Sequence, residues 1–264
     1  MNTKQTFLFL LSALLFAACA GDNVEDKYGG GGEFPPGMMA HFPLNGDLSN
    51  RAEGSAVQLS YNGAATPEFA SGAGVRQSKA LKLNGENEYL TISLDETYDT
   101  LSVIFWVKMD NEFFRSKNPK PVWIDYGMGA VRVAVDGITE STKLLVTGNA
   151  ASQSPASQLV PSGEWDNMCT WSLNTLFYME IVKEKITGKI KAKHVEYPEK
   201  YFDLSIDMSQ SPLDIKENRL YIGRPSGAGS YSGEYLQGTI NNICIYNRGL
   251  TQSDINVFTH IPLD

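Results

Sequence analysis

The stretch Arg219-Leu-Tyr-Ile-Gly223, followed by Gln237-Gly-Thr-Ile-Asn-Asn-Ile-Cys-Ile-Tyr246 and Asn247-Arg-Gly-Leu-Thr-Gln-Ser-Asp-Ile255, decides how the chain is read. Two short apolar runs, 219–223 and 236–246, flank a loop of Gly, Ser and Tyr. Apolar runs of this length bounded by turn residues read as strands. Thr251 then stands three residues before Asp254, ahead of Ile255, Val257 and Phe258. A Thr that accepts from the N3 amide, with an acid that reaches back, caps a helix. One short helix is expected at about 252–258.

Upstream of this segment the period is two. Leu101, Val103, Phe105, Val107 and Met109 fall on one strand face, and Ile104 and Trp106 make the opposite face apolar too, so this strand is expected to be covered on both sides. Lys79–Asn84 and Tyr89–Ile92 read as two strands joined by a polar turn containing Asn84-Gly85, a pair that tolerates the positive φ of a tight hairpin. Further strands are expected at 38–44, 120–126, 130–135, 143–147, 165–173, 176–183, 188–195 and 201–206. Gly, Asn, Ser or Pro clusters separate most of them. No internal repeat and no second composition block appears, so one β domain is expected over 38–264. A chain of 264 residues is compatible with a single large sandwich.

The formal charge of −8 and the absence of a basic cluster argue against nucleic-acid binding, which needs massed Lys and Arg to displace counterions from phosphates. The first residues form a separate object. Lys4 precedes an apolar run from Phe7 to Ala18, too short to span a bilayer. The ending Leu15-Phe-Ala-Ala-Cys19 resembles the lipobox of bacterial lipoproteins, with Phe16 where Leu is commonest. The expectation is a signal peptide over 1–18 and a lipidated Cys19 as the membrane tether. Residues 19–37, with Gly29–Gly32 and Pro35-Pro-Gly37, have a linker's composition. Acidic Asp22, Glu25 and Asp26 just after the Cys resemble surface-export signals of some Gram-negative lipoproteins. The expected location is the bacterial outer membrane, lipid-anchored and facing the cell surface. Cys169 and Cys244 both lie in apolar strand patterns. Export would allow a disulfide between them, but two buried free thiols is the favoured reading.

Four segments together resemble the laminin-G-like, concanavalin A-like domains of bacterial surface proteins. They are His41-Phe-Pro-Leu-Asn-Gly-Asp47, Ala80-Leu-Lys-Leu-Asn-Gly85 with Tyr89-Leu-Thr-Ile92, Leu101–Lys108, and Leu220-Tyr-Ile-Gly223 with Gly238–Leu250. Gly163-Glu-Trp165 matches the mid-domain Trp of that family. The resemblance implies an all-β, concanavalin A-like jelly-roll sandwich of two antiparallel sheets, with the first and last strands side by side. The region 174–200 departs from the pattern and reads as a longer, Lys-rich pair of strands.

Three kinds of chemistry bear on this fold. Laminarinase-like hydrolases on this fold alternate acids along one strand to place nucleophile and general acid across a sugar. No such run occurs, and Glu180 and Glu184 lie among lysines as a solvated face. His41, His194 and His260 have no partner at metal-ligand spacing, and His41 reads as a hydrogen-bonded structural residue. Calcium is the metal candidate that the resemblance implies. Asp47 matches a ligand position, whereas Asn241 and Asn242 stand where acids are usual and bring no charge. The competing reading places Asp47 in an Asx-turn with Ser49 or Asn50. Carbohydrate binding would need aromatic platforms beside polar loops. Tyr231 and Tyr235 with Arg224 form one candidate rim; Trp123, Asp125 and Tyr126 beside Gly127-Met-Gly129 form a second. Trp106, Trp165 and Trp171 read as core. These readings make a non-catalytic carbohydrate-binding surface lipoprotein the expectation, with a polysaccharide or oligosaccharide as ligand. A protein-binding adhesin or assembly module is the first rival, and a glycoside hydrolase with an unrecognised site the second.

Overall fold

The computed structural model describes residues 34–63, 66–74, 79–110, 120–136, 143–150, 156–160, 174–182, 184–193, 200–227 and 234–259. The chain divides into Met1–Pro35 and Pro36–Asp264, and every element below belongs to the second unit. Fifteen strands are described: β1 Met38–Phe42, β2 Gln58–Asn62, β3 Glu68–Ser71, β4 Lys79–Asn84, β5 Tyr89–Ser93, β6 Thr100–Met109, β7 Val122–Tyr126, β8 Val131–Asp136, β9 Lys143–Gly148, β10 Ala156–Val160, β11 Asn174–Val182, β12 Lys185–Lys193, β13 Lys200–Asp207, β14 Arg219–Ile222 and β15 Gln237–Tyr246. One helix, α1, spans Gln252–Val257.

The strands build two antiparallel sheets, as expected. The eight-stranded sheet runs β13-β12-β11-β6-β15-β4-β3, with β1 also on β15; the seven-stranded sheet runs β10-β9-β8-β7-β14-β5-β2. First and last strands pair, from Met38 opposite Tyr246 to Phe42 opposite Ile243. The core lies between the sheets. Val103, Phe105, Val107 and Met109 of β6 meet Phe177 of β11 and Trp123 of β7, with Phe105–Phe177 ring centroids 5.2 Å apart and Trp123 edge-on to Phe177 at 5.9 Å. Burying a side chain of this kind contributes about 1.5–3 kcal/mol. Ser102, Ile104 and Trp106 are buried as well, so β6 is covered on both sides.

Several expectations change. The turn at Asn84-Gly85 forms, with φ +75° at Gly85 and the Asn84 carboxamide oxygen accepting from the amides of Glu86, Asn87 and Glu88. It does not close a hairpin. β4 pairs with β15 and β3, whereas β5 pairs with β14 and β2, so the turn carries the chain from one sheet to the other. Strands β2, β3 and β10 were not anticipated. All three lie at the sheet margins, where one face stays wet and the apolar signal fades. The expected strand 165–173, with Cys169, Trp165 and Trp171, lies outside the described residues. The Lys-rich pair is a true hairpin, β11 against β12, but β11 is no solvated face. Leu176 to Met179 are buried, and half-buried Glu180 accepts from the Tyr178 hydroxyl at 3.1 Å.

The segment Asn241-Asn242 has a structural role. There β15 leaves β4 and takes up β1, and its register against β6 shifts between Asn241 and Cys244. Asn242 adopts φ +53°, a left-handed conformation that Asn tolerates better than most residues. Its amide donates to the Pro43 carbonyl at 3.0 Å, and its carboxamide oxygen meets His41 Nε2 at 2.7 Å. His41 is thus a buried structural residue, and burial holds its imidazole below the usual pKa. Cys244 beside it is a free, fully buried thiol.

Candidate functional site

Residues directly opposite each other in an antiparallel pair share a sheet face. In the seven-stranded sheet this rule defines one row: Ser60, Thr91, Tyr221, Asp125, Arg132, Thr147 and Ser157. The neighbours of these residues along the strands, such as Ile92, Leu220, Val131, Val133 and Val146, are in the core. The polar row therefore lies on the outer face and crosses every strand of the sheet.

A groove of about 500 Å³ opens on this face over β7, β8 and β9. Ala134, Thr147 and Arg132 are on its floor, and Lys120, Lys216, Asp214, Glu234 and Met128 border it. The small side chain of Ala134 leaves the space. Met128 is 53% exposed, the only large apolar side chain so exposed among the described residues. It sits in a run of three positive φ values, 66°, 63° and 87° at Gly127, Met128 and Gly129. A non-glycine residue held there costs about 1–3 kcal/mol and persists only where its surroundings over-determine it. They do: Gly127 donates to Arg219 O at 3.1 Å, Lys216 donates to Gly127 O at 3.2 Å, Gly129 donates to Asp125 Oδ1 at 2.8 Å, and Asn149 Nδ2 donates to Gly129 O.

Asp125 is the fixed point of the floor. Its carboxylate is fully buried and accepts from the Gly129 amide, from the Ser226 hydroxyl at 2.7 Å and from Arg132 Nε at 2.7 Å. A carboxyl group so buried requires such partners. Binding through Nε orients the Arg132 guanidinium, and its two terminal amino groups make no other hydrogen bond among the described residues. This corrects the second candidate rim. Trp123 is 0% exposed, with its indole N–H 3.2 Å from the Met109 sulfur, and Tyr126 is 1% exposed. Neither ring can face a sugar, and Asp125 acts from beneath the surface. The groove residues Arg132 and Thr147 escaped the sequence reading, and Met128 entered it only as the middle of Gly127-Met-Gly129. The clean alternation of Val131, Val133 and Val135 was a usable signal, since it places Arg132 and Ala134 on the opposite face.

Arg224 and Tyr235 of the first candidate rim lie on the same outer face. Tyr89 precedes Thr91 by two residues in β5, and Tyr221 belongs to the polar row. The Arg224 guanidinium carbon stands 4.4 Å from the Tyr89 ring centroid and 5.7 Å from that of Tyr221. Tyr235 packs on Tyr89 at 6.3 Å, tilted by 56°. Arg224 also donates to the carbonyls of Pro225 at 2.8 Å and Gly227 at 3.2 Å. Tyr89 and Tyr221 were not among the named candidates, because each lies inside a strand and only the pairing of β5 with β14 brings them together beside Arg224. Tyr231 and Cys19 lie outside the described residues.

The residues named for calcium do not fit a calcium site. Asp47 accepts from the Ser49 amide at 2.7 Å, an Asx-turn, and from Arg51 at 2.6 Å, and these donors hold its carboxyl below the usual range. Asn241 gives its amide N–H to the Lys79 carbonyl, and the oxygen of Asn242 faces His41. One carboxylate already bound to a guanidinium, beside two neutral amides, supplies too little charge for a hard cation. Among the described residues no group of three or more His, Cys, Asp or Glu side chains is placed to share a metal.

No protein-family model matches the chain, and no curated protein matches it in sequence. Solved structures do match. The receptor-binding domain of botulinum neurotoxin mosaic serotype C/D is similar with a TM-score of 0.56 at 10% identity, over 84% of this chain and 50% of that one. The binding domain of botulinum neurotoxin DC in complex with SialylT gives 0.54 at 11%, over 85% and 51%. The same domain in complex with rat synaptotagmin II gives 0.54 at 10%, over 84% and 51%. The chain spans about half the length of these structures, and at such identity the likeness is one of fold, a β-sandwich.

Proposed function

We propose that this chain is a lipid-anchored bacterial surface protein whose laminin-G-like sandwich binds carbohydrate without catalysis, assisting polysaccharide capture. The observation that carries the proposal is the outer face of the seven-stranded sheet. It joins a groove with orienting polar groups, Arg132 and Thr147, to an arginine–tyrosine cluster at Arg224, Tyr89, Tyr221 and Tyr235. Sugars ask for this combination: hydroxyl-directed donors and apolar contact surface around a concave floor. Fold alone does not settle function. One similar structure contains SialylT and another rat synaptotagmin II, which supports a saccharide ligand first and a protein ligand second. Calcium enters no step of this reading.

Binding to a panel of polysaccharides, followed by a reducing-end assay, tests it. Binding without release of reducing ends is expected. Release would replace the proposal with a hydrolase, and binding to a protein but to no polysaccharide would replace it with an adhesin or assembly module. Ala134→Gln combined with Thr147→Gln lengthens two side chains on the groove floor while leaving the core intact. Binding should fall at least about 10-fold with the melting temperature unchanged, the size expected when polar contacts to a ligand are displaced. The anchor is tested separately. Cys19→Ala should abolish incorporation of labelled fatty acid, and labelling that persists would remove the lipoprotein from the proposal.

A further inference from the structure

Arg224 differs from the other arginines of the outer face in what holds it. Arg132 is bound to the Asp125 carboxylate, and Arg219 stands 3.9 Å from Glu217. Arg224 is fixed by neutral groups alone: two backbone carbonyls and the faces of two tyrosine rings. No carboxylate pairs with it among the described residues. This occurs on a chain whose formal charge is −8, where acidic partners are plentiful. Ring faces and carbonyls orient a guanidinium without cancelling its charge. Its Nε and one terminal nitrogen point at the carbonyls of Pro225 and Gly227, and the other terminal nitrogen has no hydrogen bond among the described residues. A planar cation arranged in advance in this way suits an oxyanion, which gains charge-assisted hydrogen bonds with little ordering cost.

The tyrosines then change meaning. A guanidinium 4.4 Å above the Tyr89 ring already occupies that face, so Tyr89 is not a stacking platform for sugar. It is a support for Arg224, and Tyr235 buttresses it from the side at 6.3 Å. We propose that Arg224 forms an acid-recognising subsite, so that the saccharide held on this face carries carboxylate or sulfate groups. The inference rests on the proposal that the outer face binds saccharide.

Matched polymers differing only in charge test it with the full-length protein. Polygalacturonate is compared with its fully methyl-esterified form, and chondroitin sulfate with desulfated, carboxyl-methylated chondroitin, by calorimetry at low salt. A charged member is expected to bind at least about 10-fold tighter than its neutral twin, the range for one hydrogen-bonded charge, and to weaken as salt is added. Arg224→Ala should remove the preference without changing the melting temperature, and Arg224→Lys should restore only part of it. Equal binding of charged and neutral twins, binding of neutral polysaccharides alone, or a preference that survives Arg224→Ala would overturn the acidic subsite and leave the saccharide proposal standing. No binding to any charged or neutral polysaccharide would overturn both.

Discussion

His41 shows how a single side chain reports on the seam of the sandwich. It lies where β1 meets β15, with its ring nitrogen 2.7 Å from the Asn242 carboxamide oxygen. Burial is the larger influence on its titration and lowers the pKa from 6.5, against the raising effect of Asn242 and with a smaller lowering from Arg51. The folded state therefore binds fewer protons than the unfolded chain once pH falls below about 6.5, and stability must fall there as well. The carboxylates of Asp47, Asp207 and Asp254 are shifted down from 3.8, so their contributions are lost only at lower pH and stay constant between pH 7 and 5. The melting temperature should decline from pH 7 to 5, and His41→Gln should flatten that decline; an unchanged slope in the variant would contradict the assignment. The structural role of His41 was legible from its isolation in the sequence. The role of Asn241-Asn242 was not, because a bulge depends on where a strand changes partners. The same limit hid the burial of Trp123: in an unbroken apolar run, period cannot separate a loop rim from a strand covered on both faces.

Elements divide by how local their determinants are. Helix α1 was legible almost to the residue because its cap is written in four positions. Thr251 Oγ1 accepts from the Asp254 amide at 3.2 Å, and the Asp254 carboxylate accepts from the Thr251 amide at 2.9 Å and from Arg248 at 2.9 Å. The cap matters because the helix presses Phe258 edge-on against Tyr246, 6.3 Å away, over the outer side of β15. Thr251→Ala should destabilise the protein by about 1 kcal/mol, read by urea denaturation. Asp254→Ala should cost a similar amount, and the double variant less than the sum, since both residues serve one network. The strand pairs at Asn84-Gly85 show the opposite case. The turn chemistry was correct, yet a local signal cannot say which sheet receives each arm. Of the marginal strands that complete the two sheets, β3 carries almost no apolar alternation. Strand β2 does alternate, with Val57, Leu59 and Tyr61 turned to the core, but over too few residues to stand out from its polar surroundings.

At the scale of the molecule, period two made an all-β domain legible and the family resemblance implied its two sheets, while the site was legible in neither. A site on a sheet face is assembled from residues of β5, β7, β8, β9 and β14 that meet only after pairing sets their register. The same assembly argues that the domain folds as a unit. Residues of both sheets form one hydrophobic cluster, from Phe42 of β1 to Ile245 of β15, and all of it lies within Pro36–Asp264. Trp123 at the centre of that cluster reports on packing, whereas far-ultraviolet dichroism reports on the strands of both sheets. A chain lacking residues 1–35 should therefore unfold in one transition, with fluorescence and dichroism coincident. Because the described cluster lies within Pro36–Asp264, removal of residues 1–35 should alter stability by no more than about 0.5 kcal/mol. For a domain of this size that corresponds to a melting shift below about 2 °C. Two separated transitions would mean that the sheets do not share one cooperative core, and a large drop in melting temperature would mean that the leading segment is part of it.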